Sequence, residues 1–589
     1  MNKSLPALCL LLLITAAAHA QFYFRGEIKD EAGAVLPYVR IHLTRTNSFY
    51  YSGAAGSFGI PSSTTSDTAI LSLNGFEQKT VVLISHEFNA LELKRSGSSV
   101  AVQKKRLLSF TKDKSNDPKL QWSASGESYS SIVENKFNNT EVFPVTGFAL
   151  GVDKASYSNI RRFINMNTIP PPDAVRIEEM LNYFPVPVKE VEPGKTFAYE
   201  SVITDCPWNE KNKLMIARIH SSKVNYDSAP PANLVLLIDI SGSMDLPNRL
   251  SLLKTAFRMM VKNLRPVDTI SIVTYGGKIA IALYPTGGSE QTKILSVIDS
   301  LDAGGDTPGG YTLRTAYNLI QPRVLKGGNN RIILATDGDF NVGEVTEDAL
   351  MQLVSQNQQS GVYLTCLGVG MGNYKDSKLE AIAKKGNGNF AYLDNVMEAE
   401  KVLVTECMQT FYVSASDAYL NIWFVPELVK AYRLIGFDNR KDALTDSTIR
   451  LEGGEMGSGH TLTAVFEIVP AANLSSLNTP IAEGELTYVP AGATGKMQEL
   501  IPFYTAYYPF SELDSSYRLH TSVALFGMLL HQSSYVKKEH WNVLLKMLPS
   551  SINQQQFLQK EFEQLVLKAN ALYNPVKKKK GFRRKKETI

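Results

Sequence analysis

Leu234-Val235-Leu236-Leu237-Ile238 is an aliphatic run without a polar break, and it ends in Asp239-Ile240-Ser241-Gly242-Ser243-Met244. A run this short cannot cross a bilayer. Its lack of alternation fits a strand buried on both faces, as in a parallel sheet covered by helices. Oxygen-bearing side chains then stand at alternate positions, Asp239, Ser241 and Ser243, as the strand gives way to a Gly-containing turn. In open α/β sheets ligands bind outside the carboxyl ends of the strands. One carboxylate and two hydroxyls there suit a hard divalent cation such as Mg²⁺. The same residues also read as a polar turn in which Asp239 and Ser241 cap the next helix.

Two later segments bear on that choice. Gly304-Gly305-Asp306-Thr307-Pro308-Gly309-Gly310 is a Gly-rich loop holding one threonine, and Arg331-Ile332-Ile333-Leu334-Ala335-Thr336-Asp337 is a second buried strand ending in acid. Between and beyond them, strands at Thr269–Tyr275, Ile279–Tyr284 (at the sheet edge), Val362–Val369 and Phe390–Leu393 alternate with helical patterns. Those helices are expected from Leu250, around Thr292–Leu301 and Tyr311–Leu319, and at Glu347–Gln359, Lys375–Lys385 and Met397–Met408. Such alternation implies a doubly wound, Rossmann-like parallel sheet with right-handed crossovers. It puts the three polar loops on one edge.

With these motifs the sequence resembles the von Willebrand factor type A domain, whose metal-ion-dependent adhesion site uses D-x-S-x-S, a Thr and an Asp. The resemblance maps that set onto Asp239, Ser241, Ser243, Thr307 and Asp337. It implies Mg²⁺, or Mn²⁺ or Ca²⁺, held largely by neutral hydroxyls. A cation so held stays under-neutralised and can accept a carboxylate from a partner's Asp or Glu. It also implies that the terminal helix can shift with the metal's state.

The flanks divide into further regions. Residues 21–95 read as short strands between turns, with landmarks Gly26, Asp30, Gly33, Gly56 and Gly75-Phe76. They resemble the carboxypeptidase regulatory-like domain, a β-sandwich that would act as spacer or docking module. Residues 96–126 read as a linker. Residues 127–229 carry Gly151-Val152-Asp153-Lys154-Ala155-Ser156-Tyr157, a helix at Ser156–Ile164, a helix at Ala174–Phe184 capped by Asp173, and a strand at Phe197–Thr204. They resemble the amino-terminal extension of one bacterial branch of von Willebrand A proteins, with an acid of that branch's Asp-Val-Asp pattern replaced by Gly151. Residues 230–411 are the stretch that resembles the A domain. Residues 412–573 return to β pattern and finish in helices from about Thr521, resembling the carboxyl-terminal domain of the same branch. Strands before and after the A domain are expected to pair, making it an insertion at one end of a β-sandwich.

Residues 1–20 read as a secretory signal peptide: Lys3, an apolar core from Leu5, and Ala18-His19-Ala20 for cleavage. No other segment has the apolar length of a transmembrane span. The chain's net charge is +4, but Lys577–Ile589 hold eight Lys or Arg and one Glu, so this +7 tail leaves the body at −3. The tail, 574–589, reads as a solvated end suited to peripheral contact with anionic membrane; export argues against nucleic acid as partner. After cleavage Cys206, Cys366 and Cys407 remain, too few for a disulfide framework, with room for one bridge. Cys366 reads as a core thiol. Catalytic signatures H-E-x-x-H, G-x-S-x-G and the Walker loop are missing. Asp339 reads as an exposed turn acid, and Glu455 with His460 as a turn acid and a strand-edge histidine rather than a catalytic pair.

The expected fold class is multidomain α/β plus all-β, with β-sandwich regions and a helical C-terminal segment flanking the doubly wound sheet. The expected function is metal-dependent capture of a partner carboxylate by a non-enzymatic adhesion or scaffold protein, exported to the periplasm or beyond and envelope-associated. An enzyme with its site in the carboxyl-terminal domain, and a scaffold with a purely stabilising metal, stay open.

Overall fold

The computed structural model describes residues 22–95 and 127–575, apart from 38, 47, 54, 63, 74–75, 128, 226, 228, 306–311, 339–346, 372–375, 438–452, 475–479 and 505. The expected signal peptide, the linker, the Lys/Arg run of the tail, Thr307 and Asp339 lie outside the described residues. The chain divides into two units.

The first unit is all-β. Strands β1 (Phe22–Asp30), β4 (Ser57–Ser62) and β7 (Phe88–Leu93) form one sheet in the order β4-β1-β7. Strands β2 (Arg40–Leu43), β3 (Ser48–Tyr51), β5 (Ser66–Ser72) and β6 (Lys79–Ile84) form the other, β3-β2-β5-β6. Alternate residues, among them Phe24, Ile28, Ile41, Leu43, Ile60 and Leu71, meet in one core, as a half-buried strand pattern demands.

The second unit contains the A domain as an interruption of a sandwich. Before it come β8 (Asn138–Asn139), β9 (Val145–Ala149), β10 (Phe197–Asp205) and β11 (Lys213–Ser221). After it come β18 (Val413–Phe424), β19 (Val429–Ile435), β20 (Gly454–Gly457), β21 (Thr461–Pro470), β22 (Pro480–Pro490) and β23 (Met497–Tyr504). One sheet runs β10-β11-β21-β19-β8; the other runs β20-β18-β22-β23, with β9 also on β18. Strand β11 thus pairs with β21, His220 opposite Thr461, and β9 with β18, Ala149 opposite Tyr419, as expected. Burial of β11 is nearly continuous because it has two apolar faces. Met215, Ala217 and Ile219 face the second sheet. Leu214 and Ile216 face the helices Ile177–Leu181, Ser515–His531, His540–Ser551 and Phe557–Tyr573.

Inside this frame sit β12 (Ala232–Asp239), β13 (Thr269–Tyr275), β14 (Ala280–Gly287), β15 (Asn329–Thr336), β16 (Val362–Val369) and β17 (Phe390–Leu393), in the order β14-β13-β12-β15-β16-β17. All neighbours are parallel except β14, which is antiparallel at the edge. Leu234, Leu236 and Ile238 pack under helix Leu250–Val261 and its neighbours, Val235 and Leu237 on the opposite face. This is the doubly wound sheet that the unbroken aliphatic run requires. Cys366 is buried in β16, and Cys206, Cys366 and Cys407 are unpaired. Among the described residues no helix is long and apolar enough to cross a membrane.

Two local expectations need correction. The helix expected over Ala174–Phe184 is a 3₁₀ turn, Pro172–Ala174, followed by a short helix, Ile177–Leu181. Arg176 stays extended because its N–H donates to Ser156 Oγ (2.9 Å), and its guanidinium reaches Asp376 and Glu380 at 2.6 and 2.9 Å. Asp173 does not cap; its carboxylate accepts from Ile132 N–H. The terminal helix of the A domain is likewise broken, into Val396–Glu400, a π segment Lys401–Thr405, and Cys407–Phe411.

The segment 151–162 latches the A domain to its frame. Asp153 accepts from Phe390 N–H (2.7 Å), Lys154 pairs with Glu406 (2.9 Å), and Ser158 Oγ donates to Tyr392 O (2.7 Å). Arg161, 3% exposed, meets Asp394, Glu398 and Glu561 at 2.5, 2.8 and 3.1 Å. Gly151, the departure from the branch pattern, has a physical reason: a Cβ there would lie 2.8 Å from Glu455 N and 2.9 Å from Gly454 Cα. Where the chain enters and leaves the A domain, Tyr412 Oη donates to Pro230 O (3.0 Å) and Ser414 Oγ to Ser222 O (2.8 Å).

Candidate metal centre

Strands β12 and β15 are neighbours in the sheet, so Asp239 and Asp337 emerge side by side at its carboxyl edge. Asp239 is fully buried and Asp337 is 3% exposed. Asp239 Oδ1 accepts from Ser241 N–H (2.9 Å), turning the chain so that Ser241 Oγ and Ser243 Oγ stand 3.1 Å apart. Neither Asp239 nor Ser241 caps helix Leu250–Val261, which begins only after a further turn. Asp239 Oδ2 accepts from Thr336 Oγ1 (3.0 Å). The structure therefore brings together Asp239, Ser241, Ser243 and Asp337, while Thr307 lies outside the described residues. Its loop is nonetheless anchored here: Gly242 N–H donates to Gly305 O (2.9 Å) and Gly304 N–H to Ile240 O (2.8 Å).

Burial pushes the Asp239 carboxyl above the usual carboxylate range, against hydrogen bonds from Ser241, and the charge of Asp337 adds to the rise. Two buried carboxylates beside two hydroxyls are a hard-oxygen donor set of the kind a divalent cation takes. The residues present fit such an ion.

Four residues escaped the sequence reading. Thr336, one residue before Asp337, orients Asp239. Gly276 and Gly277 follow β13, and a Cβ on Gly276 would lie 2.5 Å from Ile240 C and Ser241 N. Two glycines directly after a central strand, beside the D-x-S-x-S loop, were the available signal. Arg249 reaches in from the start of helix Leu250–Val261. Its Nη1 donates to Ser243 O (2.6 Å) and Asp337 Oδ2 (2.5 Å), its Nη2 to Met371 O (2.7 Å). No spacing in the sequence marks it.

His460 stands at the edge of β21, as expected, while Glu455 lies within strand β20 rather than in a turn. They line a cavity of about 40 Å³ with Asp153, Lys154 and Glu406. That is room for a water or two rather than an organic substrate. Burial, helped by the charge of Lys154, holds the His460 imidazole down at about 3, and burial pushes Glu455 up to about 8. Because the folded state lowers the His460 value below its unfolded one, the unfolded chain binds the extra proton between about pH 6.5 and 3. Stability from the neutral ring is present above pH 6.5 and is lost as pH falls. His460→Gln should therefore gain on the wild type by about 1.4 kcal/mol per pH unit below 6.5. Urea unfolding of both proteins at pH 7 and pH 5 checks this, and a constant difference refutes it.

Comparison with known proteins follows this anatomy. The family model described as von Willebrand factor matches residues 123–216, that of the von Willebrand factor type A domain residues 233–404, and that of the carboxyl-terminal region of uncharacterized protein YfbK residues 409–572. The uncharacterized protein YfbK of Escherichia coli (strain K12) is 36% identical over 438 residues, which is 70% of this chain and 76% of that protein. The chain belongs to the YfbK family. Human inter-alpha-trypsin inhibitor heavy chain H4 is 27% identical over 148 residues, 24% of this chain and 16% of its own. A solved von Willebrand factor type A protein from Catenulispora acidiphila superposes with a TM-score of 0.38 at 13% identity, covering 64% of this chain and 91% of that one. In this YfbK-family chain the first and third matched regions interleave in the same two sheets, while the middle one carries Asp239, Ser241, Ser243 and Asp337.

Proposed function

We propose that this protein is a metal-ion-dependent binding protein of the bacterial cell envelope, of adhesion or scaffold type, which captures a partner's Asp or Glu through Mg²⁺. One observation carries the reading: Asp239 and Asp337 converge beside the Ser241 and Ser243 hydroxyls at the ligand-binding edge of the sheet. Ser241, Ser243 and Thr307 would hold the ion through neutral oxygens, with Asp239 and Asp337 orienting those donors and supplying charge. Mg²⁺ or Mn²⁺ or Ca²⁺ bound there supplies a Lewis-acidic attachment point for a carboxylate. The reading needs no catalytic group; the buried Glu455–His460 cavity lacks space for a substrate.

Lys3, the apolar core and Ala18-His19-Ala20 support export. The amino-terminal sandwich then serves as a carboxypeptidase regulatory-like spacer or docking module. The basic tail adds peripheral attraction to anionic lipid, at about 1 kcal/mol per basic residue near the surface.

The test is thermal unfolding of the mature protein in Mg²⁺, Mn²⁺ or EDTA, beside Asp239→Ala. At about 100-fold over its dissociation constant the ion should stabilise the wild type by roughly 2.7 kcal/mol, and the variant by nothing. Superimposable wild-type curves with and without millimolar metal would remove the reading.

A further inference from the structure

Arg249 is a buried cation placed against the candidate metal centre from within. It is 9% exposed, and its fork makes three contacts to three loops: Ser243 O, Asp337 Oδ2 and Met371 O. Two of those contacts are on residues of the proposed metal set. The stem is packed as tightly as the head is bonded. A Cβ on Gly370, which sits at φ +75, would lie 2.4 Å from Arg249 Nε. The guanidinium is therefore fixed in place rather than resting on a surface carboxylate.

Charge at the site follows from this. Asp239 and Asp337 carry two negative charges, and Arg249 neutralises one at contact distance. Asp239 is already committed through both oxygens, to Ser241 N–H and Thr336 Oγ1. An incoming divalent ion meets a site of about one net negative charge, with a like charge one carboxylate away. In a dry setting such repulsion is poorly screened.

Resting on the proposed metal site, we infer that Arg249 is a tethered internal counter-ion that competes with the metal for Asp337 and holds cation affinity down. Metal alone then loads the site only at a raised concentration, and a partner's carboxylate, by adding negative charge, lowers the concentration needed. Metal and partner bind as a pair, each strengthening the other, and the unpartnered protein keeps its loops tied by the arginine instead.

The test uses the full mature chain and Mn²⁺ alone as probe. Arg249→Gln removes the charge and keeps a polar amide in its place. Arg249→Lys keeps the charge. Titration calorimetry should give a dissociation constant at least tenfold lower for R249Q than for wild type, and one within about threefold of wild type for R249K. Should R249Q not fold, Arg249→Met, which keeps the stem against Gly370, carries the same expectation. Wild-type binding with R249Q equal or weaker, or R249K tightened as much as R249Q, overturns the inference while the metal site stands. No Mn²⁺ binding by any of these proteins overturns both.

Discussion

Arg161→Ala is expected to lower the free energy of unfolding by about 3–5 kcal/mol, the cost of stranding buried charges without their partner. The arginine is 3% exposed and holds three carboxylates from two distant parts of the chain: Asp394 and Glu398, flanking the start of the A domain's terminal helix, and Glu561 in the last helix of the frame. Tyr183 Oη also donates to Glu398, at 2.5 Å. Removing the guanidinium leaves Asp394 and Glu398 facing one another in a desolvated pocket. Urea unfolding measures the loss, and a change under about 1 kcal/mol would show that the cluster is relaxed by water. The paired variant R161M/E398L removes charge on both sides and should recover part of the deficit, which a purely steric role for Arg161 would not allow.

Gly276→Ala should cost about 3 kcal/mol and abolish the metal-dependent rise in melting temperature. Gly276 sits at φ +145, where an L side chain is strained, and its missing Cβ is where the backbone of Ile240 and Ser241 passes. The methyl group has no flexible neighbour to displace, only the peptide that carries the D-x-S-x-S turn. Gly277→Ala is the control: at φ +69 its Cβ would meet Gly305 Cα at 3.4 Å, so a loss of about 1 kcal/mol is expected with the metal response intact. Melting curves of both variants in Mn²⁺ and EDTA decide it. Equal behaviour of the two glycines would mean that the cradle does not shape the site.

Much of the A domain could be read from residue order because its determinants are local. Aliphatic runs ending in Asp239 and at Thr336-Asp337 announce buried parallel strands, and Thr269–Tyr275 and Val362–Val369 match the structure to the residue. That strands before and after the A domain pair was also legible, from two β-patterned flanks around an α/β core, although β11 itself was not read as a strand. What escaped depends on distance. Arg249 meets Asp337 across 88 positions and Met371 across 122, and a lone arginine in a Leu-Pro-Asn-Arg turn looks like a solvated one. The helix expected to start at Ala174 fails for the same reason. Arg176 is pulled out of helical geometry by Asp376, 200 positions away. The carboxylates that latch the terminal helix read as ordinary surface acids until the extension folds beneath them.

The interrupted sandwich has a consequence in time. His220 on β11 waits for Thr461, 241 residues later, before its sheet edge is covered. That edge stays open until β21 arrives, while the A domain between them can close on its own nearer contacts. The nascent chain therefore carries a finished domain on an unfinished base.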